Sequence, residues 1–199
     1  MNYFKVFICL FFTSLSIVSY GEVEKRTYDI TAAGIRIGEM VAPRETKDNV
    51  TWYTLHSKVS FWFFVRVQVD YAVTSMYKGN HLVTSTVITN SSKGNFKSTV
   101  QWSDDHYDVK VNGYKYTNNT SIKDSIEYNS ARFYFEYPPG ISTILADNYG
   151  IMVPADNIED NVYTVNVQGD KNRFFFKGGK IIRAIMHHPI KNFEVKLKS

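Results

Sequence analysis

Apolar and polar residues alternate with a period of two along much of this chain. The longest run sets Val65, Val67, Val69, Tyr71 and Val73 on one face, with Arg66, Gln68, Asp70 and Thr74 on the other. That alternation is the signature of a half-buried strand, because successive side chains leave a strand on opposite sides. The same pattern recurs in Phe96, Ser98, Val100 and Trp102, and in Phe193, Val195 and Leu197 set against Lys191, Glu194, Lys196 and Lys198. Further strands are predicted over residues 29–37, 51–59, 81–89, 107–111, 162–168, 172–177 and 180–187. Helical periodicity is nearly absent.

Turn chemistry punctuates the pattern. Asn112-Gly113 and Gly178-Gly179 each lie between alternating runs and supply the positive φ that a two-residue hairpin turn needs. Looser hairpin loops are predicted at residues 91–94 and 103–106. Residues 129–150 break the rhythm around Pro138-Pro139-Gly140, which excludes a central strand there. A short helix is expected on one or both sides of those prolines, within residues 129–148. About ten antiparallel strands predict an all-β meander, curled into a barrel or half-barrel of lipocalin-like or lipoprotein-carrier-like form, or else flattened into a two-layer sandwich. A barrel of about eight strands is filled by its own side chains or holds one small ligand; with about ten the interior needs a plug, a ligand or flattening into a sandwich, and the irregular segment is a candidate plug or lid.

The first 21 residues change the picture. Lys5 precedes an apolar core from Val6 to Phe12, and Ser19 and Gly21 occupy the small-residue positions of a cleavage site before Glu22. This predicts a secretory signal peptide over residues 1–21, too short for a spanning helix, and one exported β-rich domain over residues 22–199. The only cysteine, Cys9, lies in that leader. The exported domain therefore has no disulfide, thiolate metal site or cysteine nucleophile. The net charge of +4 is spread over single lysines that alternate with apolar residues, which reads as the solvated face of strands rather than a nucleic-acid surface. The basic C-terminus, Lys191, Lys196 and Lys198, fits an edge strand.

Chemistry is sparse. His56, His81, His106, His187 and His188 show no metal-binding spacing, so no metal or other cofactor is expected. No nucleophile elbow or phosphate-binding glycine loop is present. Glu136 and Asp147 flank the proline turn and are a candidate acid–base pair, but read equally well as loop charges. No catalytic residue is assigned. The cluster Phe61-Trp62-Phe63-Phe64 is the most unusual local feature, expected where one strand turns into the next. Burying each ring is worth roughly 1.5–3 kcal/mol. The rings therefore either cap one end of the barrel or line an apolar ligand mouth, a membrane contact or a partner contact.

Several segments carry a resemblance. These are residues 126–130, Arg132-Phe133-Tyr134-Phe135, Pro139-Gly140, residues 147–150, and Asn172-Arg173-Phe174-Phe175-Phe176 followed by Gly178-Gly179-Lys180. Tyr28-Asp29-Ile30 and Gly34-Ile35-Arg36-Ile37-Gly38 add an opening hairpin. Together they resemble an uncharacterised family of exported β-rich bacterial proteins, a domain of unknown function found mainly in Bacteroidetes. Ala146-Asp147 stands where a Ser-Glu pair is expected, and Phe175 where tyrosine is usual. The resemblance implies a β-rich protein of the periplasm or envelope of a Gram-negative bacterium, and it carries over no activity.

The first functional expectation is a non-catalytic binding module for an apolar or amphiphilic, lipid-like ligand, with Phe61, Trp62, Phe63 and Phe64 at its site. Next comes an envelope structural protein that docks a partner protein, with no nucleic-acid partner and no transmembrane helix. An outer-membrane barrel ranks third, since the last residues lack the terminal aromatic usual in such barrels. A hydrolase ranks last.

Overall fold

The computed structural model describes residues 21–63, 65–92, 94–113, 116–187 and 192–199. The expected leader (but for Gly21), Phe64, His188, Lys191 and the side chain of Phe63 lie outside the described residues. Fourteen strands are present: β1 (Glu22–Ala32), β2 (Ile35–Lys47), β3 (Val50–Phe63), β4 (Val65–Lys78), β5 (His81–Ser91), β6 (Phe96–Ser103), β7 (His106–Gly113) and β8 (Thr117–Ile122), then β9 (Thr143–Ala146), β10 (Ile151–Glu159), β11 (Val162–Val167), β12 (Asp170–Lys177), β13 (Lys180–Met186) and β14 (Phe193–Leu197). One helical turn, α1 (Ser130–Phe133), lies between β8 and β9.

The strands form one antiparallel sheet in the order β8-β7-β6-β5-β4-β3-β2-β1-β14-β13-β12-β11-β10-β9. It is a meander whose two chain ends meet in its middle, because β1 pairs with β14. The expected C-terminal edge strand is thus corrected: β14 is internal, flanked by β1 and β13. Its lysines stay wet on the outer face, where the Lys198 ammonium pairs with Glu39 and with Asp29 at 3.5 Å. The edges are β8 and β9, and no ladder joins them among the described residues. They approach through side chains instead. Asn118 donates to the Tyr149 carbonyl at 3.1 Å, and the Tyr116 hydroxyl donates to the same oxygen at 3.2 Å. Gly150 makes that approach possible: a Cβ there would stand 2.3 Å from the Val109 side chain of β7.

Tight turns explain why fourteen strands fit where about ten were expected. Ala33-Gly34, Asp48-Asn49, Gln168-Gly169 and Gly178-Gly179 all take positive φ at both central residues, the conformation whose twist matches flanking strands. Only the last carries the dipeptide chemistry a sequence reading looks for. The predicted strand over residues 29–37 is a hairpin bent at Ala33-Gly34, with Ala32 opposite Ile35. The turn assigned to Asn112-Gly113 falls later, since Asn112 pairs with Thr117 inside the ladder and its central residues, 114–115, lie outside the described residues. Proline kept β2 from view, yet Pro43 sits opposite Lys25 of β1 where the Cα pairing with β3 lapses between Val41 and Arg44.

The core lies on the concave face, and the segment between β8 and β9 fills part of it. Ile126, Ala131, Phe133 and Phe135 are buried there. Phe133 meets Phe174, Phe176 and Tyr163 edge-on at ring separations of 5.0, 5.3 and 5.7 Å. The helix expected around the prolines is a single turn before them, and residues 143–146 after them are strand β9.

Candidate functional site

Residues 61–63 continue β3 up to the place where it gives way to β4. Phe61 pairs with Val67, Trp62 with Arg66 and Phe63 with Val65. Period-two geometry then separates the rings. Phe61 faces the concave side and packs on Phe193 of β14 at 6.3 Å, whereas Trp62 is 76% exposed on the opposite face.

Behind Phe61 lies a cavity of 520 Å³. Its walls are Ile30 (β1), Met40 (β2), Leu55 and Val59 (β3), Val67 and Val69 (β4), and Val195 (β14), with Tyr134 beyond α1 and Phe174 of β12 closing the far side. This arrangement follows from the alternation: β3 and β4 run on past the core, and their inward residues have no facing layer at that end. Ser57, Tyr71, Ser91, Ser130, Tyr134 and Asn148 supply the polar groups of the lining. Tyr71 donates to Asn148 Oδ1 at 3.1 Å, and burial pushes its phenol well above the usual tyrosine range. A second depression of similar volume, lined by Lys58, Gln68, Asp70, Asn90 and Asn95, is polar.

A smaller cavity of 280 Å³ adjoins the apolar one, sharing Tyr71, Ser130, Asn148, Phe174 and Met186 with it. Asp147 lies in its wall, only 2% exposed. The carboxylate accepts from Ser85 Oγ at 2.5 Å, Asn129 Nδ2 at 2.8 Å, the Ser130 amide at 3.0 Å and the Ser130 hydroxyl. Its backbone carbonyl accepts from Ser98 Oγ at 2.6 Å. Asn129 also caps α1, taking the Arg132 amide at 3.1 Å, and accepts from the Tyr77 hydroxyl at 3.1 Å. Burial raises the Asp147 pKa above the ordinary aspartate value, and the surrounding donors pull it part of the way back.

Glu136, the other half of the candidate acid–base pair, has different partners. Arg132 Nε and Nη2 donate to it at 2.9 and 2.8 Å, and the Tyr53 hydroxyl donates to its other oxygen. The two carboxyls share no partner, so the geometry gives them separate structural roles. The described histidines are also dispersed. His56 meets Asp70 at 2.8 Å, His106 meets Asp105 at 2.7 Å, and His187 meets Asp170 at 2.7 Å. His81 stacks edge-on against Trp102 at 4.5 Å. Among the described residues no group of three or more His, Cys, Asp or Glu side chains is placed to hold a metal ion. Among the described residues no helix is long and apolar enough to cross a membrane.

Sequence reasoning found the edge of the cavity at Phe61 and missed its interior. Ser57 carries no motif and Ser130 only a share in the family resemblance, and only the fold brings them to one cavity.

Among solved structures, the chain is similar to a β-barrel-like protein of the domain of unknown function DUF1849 from Brucella abortus. The two share 13% identity with a TM-score of 0.54, over 88% of this chain and 95% of the other. At that identity the likeness is one of fold. No curated protein matches the chain. The family model "Domain of unknown function (DUF6134)" matches residues 28–198. That match spans the meander from β1 to the residue after β14, and the chain belongs to the DUF6134 family.

Proposed function

We propose that this domain is a non-catalytic binding module for an apolar or amphiphilic small molecule, held in the cavity behind Phe61. One observation carries the reading: a 520 Å³ apolar cavity on the concave face, within the roughly 300–1,000 Å³ of small-molecule sites. The leader read in residues 1–21 supports an envelope setting, where such ligands are carried between membranes. The separate engagement of Glu136 and Asp147 favours binding over hydrolysis.

Displacement of a neutral fluorescent apolar dye tests the proposal. The mature domain binds the dye, and Val69→Trp, which fills the cavity from β4, abolishes binding while leaving the far-UV circular dichroism unchanged. Equal binding by both proteins would overturn it. The exposure of Trp62 favours a second reading, in which an envelope protein docks at this rim. Under that reading Trp62→Ser weakens association with the partner and leaves dye binding intact.

A further inference from the structure

The chemistry of the cavity lining narrows the ligand class. None of the described residues that line it is charged. Its polar atoms are hydroxyls and one amide, and some are already committed. Ser130 donates to Asp147, and Ser91 donates to the Gly94 carbonyl at 2.9 Å. Asp147, behind Ser130, already accepts from four donors and presents no positive charge.

Ser57 stands out. It is 8% exposed, sits on β3 directly opposite both Met40 and Tyr71, and lines the apolar cavity. Its hydroxyl has no hydrogen-bond partner among the described residues, and since no fully buried side-chain polar atom there lacks a partner, this hydroxyl is open to the cavity. The Tyr71 hydroxyl donates to Asn148 and retains acceptor capacity, and the Asn148 amide nitrogen keeps its donors. An apolar pocket with an unpartnered hydroxyl and a neutral amide is matched to a head group that donates and accepts hydrogen bonds without charge. A carboxylate or phosphate in the same place would be desolvated with no counter-charge, which is strongly unfavourable.

Resting on the cavity reading above, we propose that the ligand is an uncharged amphiphile, an apolar body ending in a hydroxyl, ester or amide, with Ser57 contacting that polar end. Free fatty acids are rejected in their ionised form.

The test is competition against a neutral fluorescent apolar dye at about pH 8, where carboxylates are ionised. Three competitors of equal chain length are used: dodecanol, glycerol monolaurate and laurate. Dodecanol and glycerol monolaurate displace the dye, and laurate is at least about ten-fold weaker. Ser57→Ala weakens dodecanol about five-fold more than it weakens the dye, which carries no hydroxyl for Ser57 to meet. Laurate as tight as dodecanol would overturn the proposal, as would a bound dye that none of the three displaces. A dye that fails to bind at all would overturn the cavity reading itself.

Discussion

Asp147 is a carboxyl kept from water by hydroxyls and amides rather than by a cation. Burial raises its pKa above the ordinary aspartate value of 3.8, so the folded protein holds this proton more tightly than the unfolded chain does. The stability this group contributes is therefore fully present below that value and is lost as pH rises through the folded pKa. Asp147→Asn removes the titration. Urea unfolding across the acidic range is expected to show wild type losing stability relative to the variant as pH climbs from about 4. A constant difference between the two proteins would show that the donors around Asp147 fully offset its burial. Little of this was legible beforehand: Asp147 was visible as a loop charge or half of an acid–base pair beside a proline turn, and its four donors come from β5, Asn129 and the start of α1.

At the level of elements, the segment between β8 and β9 works as a plug. Phe133 anchors it among three rings, and Arg132 fixes it from the other side through the Asn80 side chain at 3.0 Å and the Tyr77 ring, 5.1 Å away. Phe133→Ala leaves a void in a place with little room to relax, and is expected to lower unfolding free energy by about 3–5 kcal/mol. Chemical denaturation of the variant reads that loss. The irregular composition of this segment, with its prolines and aromatic residues, marked it as a candidate plug or lid without choosing between them. The pattern placed β3 to β7 and β11 to β14 nearly correctly, since each carries its apolar residues on one face. It missed β8, whose TNNTSI sequence has no apolar face to read, β9, which is only four residues long, and β10, whose IMVPADNIE sequence carries a proline. For the aromatic cluster, alternation makes a sharp claim: Phe61→Ser weakens dye binding, whereas Trp62→Ser does not. Trp62→Ser should also change stability by less than about 0.5 kcal/mol, because that ring is solvated. Equal losses from both variants would contradict the assignment of one ring to the cavity and the other to solvent.

At the scale of the whole molecule, the meander brings its termini together at β1–β14 and leaves its open edges bridged by Asn118, Tyr116 and the plug. A sheet this long cannot fill its own concavity with side chains, so one end is plugged and the other left as the apolar cavity. The all-β class and the meander were readable from period-two alternation and turn residues. The pairing of β1 with β14 was not, because no local pattern marks which distant strands meet. Function sits at the same distance from the sequence: the cavity is made by nine elements, and only Phe61 announced it. The most direct test is native mass spectrometry of the mature domain, residues 22–199, purified from a periplasmic extract without detergent, beside Val69→Trp. The account predicts a reproducible bound mass of lipid size on the wild type that is missing from the variant. A clean unliganded wild type that also takes up no added apolar ligand would contradict it.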